Sequence, residues 1–134
     1  MNGPDSSAAN AEADLYGLLS ESLSFPNAEL AEAVDSGRFL STIGHLLGHL
    51  SYDAGAPLDG LEPPGLPAGE LEAEYIRLFD LPDRTPTPLY TGVYAPRRRD
   101  AMEELLRLYR HFGLTVDSEA HDLPDFVPTV LEFI

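Results

Sequence analysis

Apolar residues recur along this chain at helical spacing, and no segment shows strand-like alternation. Leu15, Leu18, Leu19 and Leu23 form a first stripe with Tyr16 beside them, and Pro26 ends it. A shorter stripe, Leu30 and Val34, lies in NAELAEAVDSG, where Gly37 stands as a C-terminal cap. Phe39, Leu40, Ile43, Leu46, Leu47 and Leu50 trace a third. Leu71, Tyr75, Leu78 and Phe79 mark a fourth, which begins near Gly69, with Glu74 able to reach Arg77 at i+3. Met102, Leu105, Leu106, Tyr109 and Phe112 mark a fifth, closed by Gly113. For that helix the sequence predicts Asp100 as N-cap, Glu103 as its capping-box partner, and a Glu103–Arg107 pair. LPDFVPTVLEFI starts a sixth. The pattern predicts an all-α bundle of five or six helices with no sheet.

Two connections stand out. Residues 53–69 are rich in proline and glycine and read as a loop. It is not a domain boundary, because neither side carries enough apolar residues for its own core. Residues 1–9 are small and polar and are expected to be disordered, with residues 10–134 forming a single domain. Residues 81–96 carry prolines at 82, 86, 88 and 96 together with Tyr90 and Tyr94. Proline stiffens such a segment, so it is no flexible linker. Two readings stay open: a rigid peptide-binding groove, which would lose little entropy on binding, or a loop that its tyrosines pin to the core.

Charge changes the picture more than composition does. The 134 residues carry a formal net charge of −15, and all eight basic residues are arginine. Such a field repels nucleic acid and anionic lipid and attracts basic segments. An acidic coat adapted to high salt, in a halophilic source, gives the same composition. Apolar residues make up 43% of the chain, too many for a disordered polymer. No apolar run approaches the ~20 residues of a membrane span. The N-terminus shows no basic region followed by an apolar run, so the expected location is the cytoplasm, without stable membrane association. Absence of cysteine excludes disulfides, a thiol nucleophile and Cys-ligated metal.

Candidate chemistry is sparse. His45 and His49 sit four apart and could face one metal ion, but each is followed by a leucine, where a zinc-protease helix would carry a glutamate after the first, and no third ligand is evident. Carboxylate pairs such as Glu70 with Glu74 are expected by chance among 23 acids. No phosphate loop, nucleophile elbow or dinucleotide fingerprint is present. Residues 97–100, RRRD, form the one basic cluster and read first as partners for nearby acids.

Four stretches occur in order: EYIRLF at 74–79, PTPLYTGVY at 86–94, RRDAMEELLRLYRHFGL at 98–114 and LPDFVPTVLEF at 123–133. Together they resemble the TorD/DmsD/NarJ family of redox-enzyme maturation chaperones. The resemblance is nearest to members serving type II DMSO-reductase-like molybdoenzymes. It is specific from about 71 to 134 and only architectural from 10 to 52. It implies an all-helical, non-enzymatic chaperone without a cofactor of its own. Such a protein binds the twin-arginine leader or N-terminus of a molybdoenzyme catalytic subunit. It holds that subunit for insertion of the molybdenum cofactor before export or assembly. Carried over by motif, the peptide-binding residues would be Tyr75, Leu78, Phe79, Pro88, Leu89, Tyr90, Gly92, Val93, Tyr94, Pro124, Asp125 and Phe126. Pro124 and Asp125 match a Pro-Asp-His motif in which Phe126 replaces the histidine. The family continues for further helices beyond LEF, so the bundle is expected to be truncated, with apolar surface that favours a homodimer. The alternatives are a general helical adaptor for a basic peptide and, less favoured, a His-metal enzyme.

Overall fold

The computed structural model describes residues 6–53, 55–81, 84–117 and 123–134. Among these the fold is helical, and the one strand-like feature is a single antiparallel bridge between Tyr90 and Phe126. The helices are α1 (Ser6–Leu23), α2 (Ala28–Asp35), α3 (Arg38–His49), α4 (Gly55–Leu58), α5 (Ala68–Tyr75), α6 (Arg98–His111) and α7 (Val127–Phe133). A π-helical turn, Ile76–Asp80, continues α5, and a 3-10 turn, Thr91–Tyr94, precedes α6. All six periodic segments are therefore helical. Residues 6–9, expected in the disordered end, belong to α1, and α4 adds one turn inside the proline-rich loop.

Local chemistry explains most ends. The Asn27 side chain accepts the Leu30 N–H at 2.8 Å and starts α2. Gly37 follows α2 at φ +76°, a conformation in which a Cβ would be strained. Gly113 closes α6 in a Schellman motif, its N–H bonded to Arg110 O and that of Leu114 to Tyr109 O. The start of α6 departs from expectation. The helix begins at Arg98, Arg97 occupies the N-cap without a side-chain bond, and Asp100 sits in the first turn. There its charge is favoured by the helix dipole, and it pairs with Arg97 at 3.6 Å. The partner of Glu103 is Arg99, at 3.1 Å, not Arg107.

Packing centres on α1. α7 lies along it, and Ser20, 2% exposed, donates to the Pro128 carbonyl at 2.9 Å. α3 packs on α1 and α2, and α5 on α2. Tyr75 at the end of α5 donates to Leu23 O at 3.0 Å, tying α5 to the end of α1. α6 meets α7 through Tyr109, Phe112 and Phe133, with ring centroids 4.8 and 5.6 Å apart. The core is thin: among the described residues its buried apolar members are Ala11, Leu30, Ala31, Leu89 and Tyr109, with Pro26 and Pro128.

Candidate peptide-binding surface

The proline-rich connection and the segment before α7 are distant in sequence and hydrogen-bonded in space. Thr91 N–H donates to Asp125 O at 2.9 Å, and Val127 N–H to Leu89 O at 2.8 Å. Between these bonds Tyr90 and Phe126 stand side by side, centroids 5.4 Å apart. Asp125, 1% exposed, turns inward and accepts the Gly92 N–H on Oδ2 at 3.0 Å. The fit is close: a Cβ on Gly92 would lie 2.7 Å from that oxygen and 2.8 Å from Arg98 Cγ. The glycine is required for space, not for backbone freedom. The other Asp125 oxygen, Oδ1, has no hydrogen-bond partner.

Tyr109 supports the same junction from α6. Its hydroxyl donates to Pro124 O at 3.0 Å. Burial, and secondly the Asp125 carboxylate, push the Tyr109 phenol above its ordinary pKa.

The π turn shapes the facing wall. The Leu78 carbonyl, in the last turn before the helix ends, takes the Thr87 N–H at 3.3 Å and so tethers the proline-rich segment. Tyr75 and Phe79 stack edge to face at 5.1 Å, and Phe25 meets Tyr75 at 5.4 Å. Tyr75, Phe79, Leu89, Tyr90 and Phe126, with Phe25 and Asp80, surround a cleft of about 200 Å³. Leu78 lines a second, adjoining cavity of about 160 Å³ together with Tyr75, Phe79, Leu30 and Phe39.

The structure thus brings five of the twelve motif-derived residues to one cleft and Leu78 to its neighbour. Leu89, Gly92 and Asp125 are buried, so the last two brace the surface from beneath. Val93 and Tyr94 are exposed and line neither cavity, and the Tyr94 hydroxyl donates to Pro88 O at 3.0 Å. Pro124 lines a separate groove between α6 and α7. Of the two readings of the loop, Tyr94 fits the pinning one and Tyr90 stands in the cleft. Phe25 and Asp80 were missed. A large aromatic just past a helix end, outside every stripe, was the available signal for Phe25.

His45 and His49 are exposed on α3 with Nε2 atoms 3.1 Å apart. Among the described residues no group of three or more metal-ligating side chains comes together. No described helix is long and apolar enough to cross a membrane. Arg97 and Arg99 pair within their own helix end, as the basic cluster led us to expect.

A family profile described as nitrate reductase delta subunit matches residues 26–134. The chlorate reductase assembly chaperone protein of Ideonella dechloratans is 40% identical over 79 residues, covering 57% of this chain and 41% of the relative. The selenate reductase assembly chaperone protein of Thauera selenatis is 36% identical over 78 residues, 56% and 40% of the two chains. The perchlorate reductase assembly chaperone protein of Dechloromonas aromatica is 28% identical over 131 residues, 92% of this chain and 58% of that one. The matched region is thus about half the length of these relatives. Among solved structures, a protein from Archaeoglobus fulgidus described as a redox enzyme maturation protein aligns with a TM-score of 0.55. The alignment covers 99% of this chain and 71% of the other at 20% identity, which speaks to the fold alone.

Proposed function

This chain belongs to the nitrate reductase delta subunit family, and from that premise we propose that it is a non-enzymatic assembly chaperone for the catalytic subunit of a molybdenum-containing reductase. Its three curated relatives carry assembly-chaperone names for chlorate, selenate and perchlorate reductases. The client would be a type II DMSO-reductase-like molybdoenzyme, the class to which the sequence resemblance points. The chaperone would hold the subunit's leader, or its N-terminal segment, in the cytoplasm until the client's molybdenum cofactor is in place.

The observation that carries this reading is the aromatic cleft. Its volume, about 200 Å³, falls below the ~300–1,000 Å³ of small-molecule and cofactor sites. It is large enough for one apolar side chain of a passing polypeptide. Its walls come from four chain segments, the chain just past α1, α5 with its π turn, the loop and residue 126, and hydrogen bonds tie them together: Tyr75 to Leu23 O, Thr91 N–H to Asp125 O, and Val127 N–H to Leu89 O. A preformed cleft keeps its own ordering cost on binding small, which suits repeated capture and release.

Titration calorimetry with synthetic peptides tiling the N-terminal region of such catalytic subunits tests the proposal. Saturable binding by a subset is expected. Phe79→Ala and Tyr90→Ala should weaken it by roughly 1–3 kcal/mol, the range for truncated aromatic anchors, and Tyr94→Ala should not. No binding by any peptide, or by the intact apo subunit, would overturn it.

A further inference from the structure

The cleft and its neighbour form one groove with two seats. Tyr75 and Phe79 line both, as a shared ridge. The opposite wall is shared too, because Phe25 lines the first seat and the adjacent Pro26 the second. The second seat, about 160 Å³, is lined by Leu30, Val34, Phe39, Leu71 and Leu78, with Glu74 at its edge. Glu74 is already committed. It accepts from Arg77 at 2.9 and 2.6 Å, and that hydrogen bond holds its carboxyl below the usual range.

Asp80 is different. Among the described residues it is the one carboxylate lining the first seat, it is exposed, and it makes no ion pair or side-chain hydrogen bond there. It also ends the π turn, where outward-facing carbonyls add partial negative charge. An uncommitted carboxylate at a helix C-terminal pole, beside an aromatic seat, favours a cation with an apolar stem. The chain's net charge of −15 acts in the same direction over a longer range.

We propose that the polypeptide this groove receives places one apolar side chain in each seat and sets an arginine or lysine against Asp80, which makes Asp80 the residue that selects for charge. The inference rests on the reading that the groove binds a client polypeptide. It adds the chemistry the bound segment must carry. Phe25 and Tyr75 can also face the stem or the guanidinium plane of that cation, a contact open to arginine more than lysine.

The probes are short synthetic peptides with two leucines separated by two, three or six residues and one arginine. Each has a twin with glutamine for arginine and another with a single leucine. Binding is measured by fluorescence anisotropy to the full chain and to Asp80→Asn and Asp80→Arg, each checked for helicity by circular dichroism. At one leucine spacing the arginine peptide is expected to bind about fivefold tighter than its glutamine twin, the upper end for an exposed ion pair. Asp80→Asn should remove that preference without weakening the glutamine twin, and Asp80→Arg should reverse it. The single-leucine peptides should bind more weakly than the pairs. An arginine preference unchanged in Asp80→Asn overturns the role of Asp80 while peptide binding stands. Equal binding by single-leucine peptides overturns the two-seat arrangement. Failure of every peptide to bind overturns the client-binding reading itself.

Discussion

At the scale of single residues, the surface depends on small exclusions beneath it. Gly92 has ordinary backbone angles and is required because Asp125 and Arg98 leave no room for a methyl group. Gly92→Ala must push the Asp125 carboxylate away and break the bond from the residue-92 N–H. We expect a loss of about 2 kcal/mol by denaturant unfolding, the cost of overpacking a close contact. Wild-type stability would mean that the junction yields easily. Tyr109 gives a pH signature. Its phenol pKa is raised in the folded chain above the ordinary 10.0, by burial first and by Asp125 second. A raised folded pKa means stability is fully present below about pH 10 and falls as pH rises through the folded value. Melting temperatures measured from about pH 8 to 11 should decline along the upper part of that range. In Tyr109→Phe this contribution to the decline should vanish, while the unpartnered Pro124 carbonyl costs about 1 kcal/mol at neutral pH. An alkaline decline of the same depth in the variant would assign it to other groups. The sequence hides both effects, since the partners of Gly92 and Tyr109 lie 33 and 15 residues away.

Elements were legible where a repeat of 3.6 could be counted, and illegible where geometry depends on a distant partner. The stripes through Leu15, Phe39 and Met102 needed only local spacing. The π turn could not be read, because Tyr75 and Phe79 are four apart in a regular helix as well, and what widens the coil here is accompanied by a bond from Thr87. Asp100 was misplaced as a cap for a related reason: an acid in the first turn and an acid at the N-cap look alike in sequence. The end of α3 shows a third kind of gap. It closes in a Schellman motif, Ser51 N–H to Gly48 O and Tyr52 N–H to Leu47 O, with a serine at φ +60° where glycine is the usual occupant. A left-handed serine costs ~1–2 kcal/mol, and a glycine there would cost the unfolded chain's added entropy, ~0.5–1 kcal/mol. Ser51→Gly should therefore stabilise the chain by about 0.5–1 kcal/mol, read as a rise in melting temperature. A fall would show that the serine side chain contributes more than its backbone strain. The candidate site divides similarly. The motifs supplied Tyr75, Phe79, Leu89, Tyr90 and Phe126, but the fold was needed to add Phe25 and Asp80 and to leave Val93 and Tyr94 outside.

For the whole molecule, the question is whether its charge is organised by pairing or left to act as a field. The described residues contain three ion pairs, each within one helix end and each with both side chains about half exposed or more. Such pairs are worth ~0.2–1 kcal/mol apiece and weaken with salt. Against them stand 23 acids and eight arginines, a net charge of −15 on 134 residues. Exposed like charges repel, and salt screens them beyond a Debye length of about 10 Å at 0.1 M and about 3 Å at 1 M. Screening should therefore relieve more repulsion than it removes attraction, and the melting temperature should rise from low salt to about 1 M sodium chloride. The same screening acts oppositely on encounter with a basic polypeptide. Steering by the acidic field speeds association, whereas the aromatic seats govern residence. Association rates for an arginine-bearing peptide should fall across the series in which the fold grows more stable, with dissociation rates changing less. Stopped-flow kinetics and thermal melts on identical buffers separate the two effects. If stability rises while association is indifferent to salt, the acidic coat is an adaptation to solvent and plays no part in recognition. If stability falls, local pairs such as Glu74 with Arg77 hold the fold more than the net charge strains it.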